Sequence, residues 1–157
     1  MLAILIALAA AAGQPLPGQW AQFSRSPPSI LLRGVSATVD IATGTRNNDG
    51  KFPYKLRLTT RIAGRQTEVK WTDSARCPAV RAVIASMVDI KPPSPAPYGV
   101  RGKSDIIVTD ETEYTITAPS SDDMGTLTIN SVEGSGLSAW VELWLRQLDP
   151  CWRPSAS

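Results

Sequence analysis

Five carboxylates stand close together late in the chain: Asp110, Glu111 and Glu113, then Asp122 and Asp123. Two carboxylates are the minimum equipment for glycoside hydrolysis, one as acid and the other as base or nucleophile. To act as an acid near neutral pH, a carboxyl group needs burial or a like-charged neighbour, and groups placed in turns as these are read as solvated tips. The second candidate is a basic stripe, Lys55, Arg57 and Arg61. Residues two or four apart share one face of a strand, so these three can meet phosphate, an acidic polysaccharide or another anionic partner. The formal net charge is only +2 and no aromatic residue interleaves with the stripe for base stacking, so nucleic acid is not the expected partner.

Other chemistries are removed by what is missing. The chain has no His, which excludes His-based triads, His metal sites and His general bases. Ser135 in Gly134-Ser135-Gly136 lacks any base to activate it and reads as a helix cap. The Asn47 to Gly50 turn fails the EF-hand pattern: with Gly50 in the sixth place, the first is Thr45 and the twelfth Leu56, neither a charged ligand. There is no Gly-rich phosphate loop, and no cofactor or metal is expected. Pro92 to Pro97 followed by Tyr98 has the form of a polyproline ligand, so Tyr98 joins Lys55, Arg57 and Arg61 as a candidate binding residue. Trp140 and Trp144 fall at helical spacing and belong to a core, which leaves Trp20 and Trp152 as the aromatic residues expected at the surface.

The compartment follows from the first residues and the cysteines. Leu2 to Ala12 is an uncharged apolar run, shorter than the roughly 20 residues of a spanning helix but suited to a signal-peptide core of about 7–15. Ala10-Ala11-Ala12 supplies small residues for a peptidase, which places cleavage before Gly13 and makes residues 1–12 a signal peptide. No Lys or Arg precedes the run, a departure from the secretory pattern that a mis-assigned start would explain. No Cys follows it for lipid attachment, so the mature protein is expected free in the periplasm or outside the cell, with no transmembrane anchor. Cys77 and Cys151 form an even pair suited to that oxidising space. Their bond closes a loop of about 75 residues, for which chain entropy gives roughly 4 kcal/mol.

The elements that must position these groups are legible in part. Residues 13–30, rich in Pro, Gly, Gln and Ser, read as a flexible segment or surface strap, and 31–157 as one domain. Val35, Ala37, Val39 and Ile41 alternate with polar residues as in a half-buried strand. Lys55 to Ile62 and Gln66 to Trp71 form a hairpin. A two-residue turn at Gly64-Arg65 sets Leu58 opposite Trp71, Thr60 opposite Val69 and Arg61 opposite Glu68. Ser104 to Thr109, Glu113 to Ala118 and Thr126 to Val132 read as further strands. Apolar residues at helical spacing predict two amphipathic helices, about 77–89 and 136–149, with Glu142 and Arg146 paired on the outer side of the second. The expected architecture is α+β: a mostly antiparallel sheet of about five to six strands, two helices packed on it and one disulfide.

These readings point to a non-catalytic binding or accessory protein of the bacterial cell envelope, engaging a periplasmic or envelope protein. A small carboxylate-dependent hydrolase and a small-ligand carrier are the alternatives. A hydrolase requires two carboxylates that converge in a cleft, and a carrier requires a pocket between helix and sheet.

Overall fold

The computed structural model describes residues 14–28, 34–62, 67–93, 111–122 and 125–155. The apolar run at residues 2–12, the strand expected at Ser104 to Thr109 and most of the Pro-rich stretch with Tyr98 lie outside them. Among the described residues, six strands make one antiparallel sheet: β1 (Gln19–Ser26), β2 (Val35–Thr43), β3 (Tyr54–Ile62), β4 (Glu68–Asp73), β5 (Glu113–Pro119) and β6 (Thr126–Val132). Their order across the sheet is β4-β3-β2-β1-β5-β6. The first four form a meander, and the chain then returns across the sheet to set β5 against the other side of β1. Two helices, α1 (Ala79–Ser86) and α2 (Gly136–Leu148), each end in a 3-10 turn, Met87–Asp89 and Asp149–Cys151. The fold is α+β with one disulfide, as the hydrophobic periods predict.

Period-two alternation sorts the side chains. Phe23, Val39, Ile41, Leu56, Ile116 and Ile129 point to one face and are buried there against Val80 and Val83 of α1 and Leu137, Trp140 and Val141 of α2. Trp140 packs edge-on against Phe23 at 5.1 Å, and its indole N–H donates to Ser86 Oγ at 3.0 Å, so one side chain fastens α2 both to the sheet and to α1. Ser135 caps α2 as its position predicts, its Oγ accepting from the Ser138 N–H at 3.0 Å. Cys77, just before α1, is bonded to Cys151, just after α2, with Cα atoms 5.9 Å apart. Beyond that bond, Arg153 exchanges two backbone hydrogen bonds with Trp71, 2.7 and 2.9 Å long, and so occupies part of the outer edge of β4.

Four expectations need correction. Residues 19–26, read as part of a flexible segment, form β1 at the centre of the sheet, paired on both sides. A bulge at Trp20 puts the alternation out of step with that residue and hides the strand in the sequence. The β3–β4 hairpin is shifted by one residue: Leu58 faces Lys70, Thr59 faces Val69 and Arg57 faces Trp71. The far end of the hairpin pins this register, since Tyr54 and Ser74 bond each other, backbone to backbone at 2.9 Å and backbone to hydroxyl at 3.0 Å. The Arg61–Glu68 pair is therefore replaced by Glu68 with Lys70 at 3.2 Å. The Glu142 carboxylate turns to Arg25 and Tyr114 on the sheet, and Arg146 bonds the Glu142 carbonyl instead. Trp152, expected at the surface, is buried, and Trp20 is half-buried.

Candidate functional site

The two helices cover one face of the sheet, and the other face is polar. Along β1, β2 and β3 its residues are Gln22 and Ser24, then Ser36, Thr38 and Asp40, then Arg57, Thr59 and Arg61. The registers align these into rows that cross the strands. The central row reads Trp71, Arg57, Asp40, Gln22, Thr117 and Thr128, one residue from every strand. The next reads Val69, Thr59, Thr38, Ser24, Thr115 and Asn130.

At the middle of the first row lies a buried ion pair. Asp40 and Arg57 are 3% and 4% exposed although, among the described residues, no helix covers their face. Arg57 Nη2 and Nε lie 2.7 and 2.8 Å from Asp40 Oδ2, while the amides of Gln19 and Gln22 donate to Oδ1 at 3.1 and 2.6 Å. Arg57 Nη2 also donates to the Gln14 carbonyl at 2.7 Å, and its guanidinium lies 5.9 Å from the centre of the Trp71 ring. The chain at Gln14 and Pro15 thus folds over one end of the face and, with Arg61, Ser36 and Ser26 at the other, borders an open hollow of about 420 Å³. Asp40 accepts from four directions, so its lone pairs are committed to Arg57 and the two glutamine amides. The arrangement holds and orients polar groups, with the hydroxyls of Ser24, Ser36, Thr38 and Thr59 around it.

The candidate residues read from the sequence are dispersed. Arg57 and Arg61 both line the hollow, but Arg57 is neutralised by Asp40 while Arg61 is exposed. Lys55 shares their face yet lies at the far end of β3, beside Asp73 and Arg76 and outside the hollow. Tyr98 lies outside the described residues. Of the described carboxylates, Glu111 lies just before β5 and Glu113 opens it, while Asp122 lies in the turn beyond the strand's other end and does not converge with Glu113. The strand between them spans about 20 Å at about 3.3 Å per residue, more than a glycosidase pair allows. Asp110 and Asp123 lie outside the described residues. Asp40, Gln19 and Gln22 were missed. The available signal was an acid in the middle of β2 with an arginine in the middle of the next strand.

On the helix side Tyr114 donates to Glu142 Oε1 at 3.0 Å, and Arg25 Nη1 bonds both oxygens of the same carboxylate. Burial, and then the bond to Glu142, pushes the Tyr114 hydroxyl up to about 12. A second hollow, about 440 Å³ and mainly apolar, lies between the end of α1 and strands β5 and β6, lined by Ile84, Met87, Ile90, Ala118, Leu127 and Ile129. Trp20 borders it and carries a buried indole N–H without a hydrogen-bond partner among the described residues.

Comparison with known protein families, with characterised proteins and with solved structures finds no match to this chain.

Proposed function

We propose that the protein is an exported, non-catalytic binding or accessory protein of the bacterial cell envelope that engages its partner through the open face of the sheet. The observation that carries this reading is the polar hollow of about 420 Å³ floored by the Asp40–Arg57 pair. Its hydroxyl and amide side chains, with Arg61 at the rim, suit a polar or anionic surface on a periplasmic or envelope protein, and the network beneath them is already arranged before a partner arrives. The disulfide and the apolar run at Leu2 to Ala12 support export.

Affinity capture from periplasm and culture fluid, with an intact-mass reading of the same protein, tests both parts. The expected result is a chain beginning near Gly13, oxidised at both cysteines, with a stoichiometric protein companion that an Arg61→Glu variant no longer retains. An unprocessed chain overturns export, and equal capture by the variant overturns the assignment of this face. The carrier reading is favoured by the apolar groove beside Trp20. It predicts that an apolar ligand changes tryptophan fluorescence in the wild type and no longer does so in an Ile129→Lys variant.

A further inference from the structure

The two edges of the sheet are finished differently. The β4 edge carries Glu68, Lys70 and Asp73 and is bridged by Arg153. The β6 edge has no strand beyond it among the described residues, and the segment Thr126–Val132 contains no charge and no proline. Charged side chains, prolines and covering segments are the usual means of keeping such an edge from pairing. Leu127 is 50% exposed on it and Val132 43%.

The ladder shows which groups the edge offers. The Ser120 N–H donates to the Gly125 carbonyl at 2.8 Å in the pair next to Pro119–Thr126. Bonded and non-bonded pairs alternate in an antiparallel ladder, so Leu127, Ile129 and Ser131 bond β5, while Thr126, Thr128, Asn130 and Val132 direct their N–H and C=O groups outward. Two observations agree. Pro119, with no N–H to give, falls opposite Thr126, and the hydroxyls of Thr117 and Thr128 approach to 3.1 Å, as in the closer, non-bonded pairs.

We propose that β6 pairs antiparallel with β6 of a second copy of this chain, about a two-fold axis at Thr128, joining the two sheets into one. A strand fitting this edge presents apolar residues on the helix side opposite Leu127 and Ile129 with polar ones on the open face. The described strand that meets these terms and is itself unpaired along one edge is β6. With the axis at Thr128, each Leu127 packs on the other copy's Ile129, and Thr126 exchanges bonds with the other copy's Asn130. The central row of the open face then runs through Thr128 into its counterpart without a break.

Sedimentation equilibrium of the oxidised protein at rising concentration tests this, with two variants at the axis. The wild type is expected to pass from monomer to dimer. Thr128→Lys and Thr128→Glu place like charges opposite each other and are each expected to weaken the dimer about tenfold or more, while an equal mixture of the two regains it. Thr128 is exposed and directs its backbone groups away from β5. Both variants therefore keep the near-ultraviolet circular dichroism of the buried tryptophans. A wild type that stays monomeric overturns the proposal, including the case in which it binds an added extended peptide along the same edge. So does a dimer that Thr128→Lys leaves intact.

Discussion

One face of the sheet is held by shape and the other by charge. On the helix side Phe23, Trp140, Val83 and Val141 interlock with few polar atoms to satisfy, and the disulfide ties the surroundings of both helices together. On the open side the same strands bury a carboxylate and a guanidinium under a strap of backbone, with two glutamine amides completing the shell. The helix side can absorb a volume-conserving apolar exchange at small cost, because its contacts are many and individually weak. The open side cannot lose one partner, because the other then remains buried and unpaired. The difference shows where this fold keeps its adjustable surface and where it keeps a fixed one.

The sharpest way to break the comparison is Asp40→Ala, which strands Arg57 and is expected to cost about 3–5 kcal/mol in urea unfolding. Removing both charges, as Asp40→Leu with Arg57→Met, is expected to restore stability near the wild type, since a well-packed apolar pair can match a buried ionic one. If the double variant is as unstable as the single one, the pair contributes energy as well as geometry. On the helix side, Cys77→Ser is expected to cost about 4 kcal/mol by the loop it reopens, the sequence separation being 74 residues. That loss is read as a fall in the unfolding midpoint, and reduction of the wild type reproduces it.

A smaller effect comes from Tyr114, which holds its proton up to about pH 12 in the folded protein against 10.0 for an exposed tyrosine. The folded state binds more protons than the unfolded one between these values. The contribution is therefore fully present below pH 10 and is lost as pH rises through about 12. Glu142→Gln is expected to move this titration down, as followed by tyrosinate absorbance. The smallest effect belongs to Arg61, exposed at the rim of the hollow. Arg61→Ala is expected to change stability by less than about 0.5 kcal/mol while reducing retention of a companion in capture, which separates the fixed floor of the open face from its working rim.

Strand and helix identities were legible where a period runs unbroken. Val35 to Ile41 and Leu137 to Leu148 announce their buried faces by spacing alone, and Ser135 announces the start of α2. β1 was not legible. Its residues Gln19, Gln22, Ser24 and Arg25 have no strong strand preference, the Trp20 bulge shifts the period, and its place comes from neighbours far along the chain. The hairpin register is hidden for a related reason: the Tyr54–Ser74 bonds and the Trp71–Arg153 bridge, distant from the turn, hold it. The basic stripe was half visible. Spacing puts Arg57 and Arg61 on one face, but only the position of β1 brings Gln19, Gln22 and the Gln14 carbonyl onto the Asp40–Arg57 pair.

The central position of β1 has a consequence in time. It is the earliest described strand to be synthesised, yet its partners around Thr117 on β5 come some ninety residues later, after the meander and α1. Until they arrive, the middle of the finished sheet is an open margin of a half-built one, and Phe23 lacks part of its covering. Pairings so distant along the chain form slowly, and their exposed margins invite wrong partners meanwhile. A chain of this design gains from being kept unfolded until its last residues are present, so that the strand made first is closed on both sides in a single event.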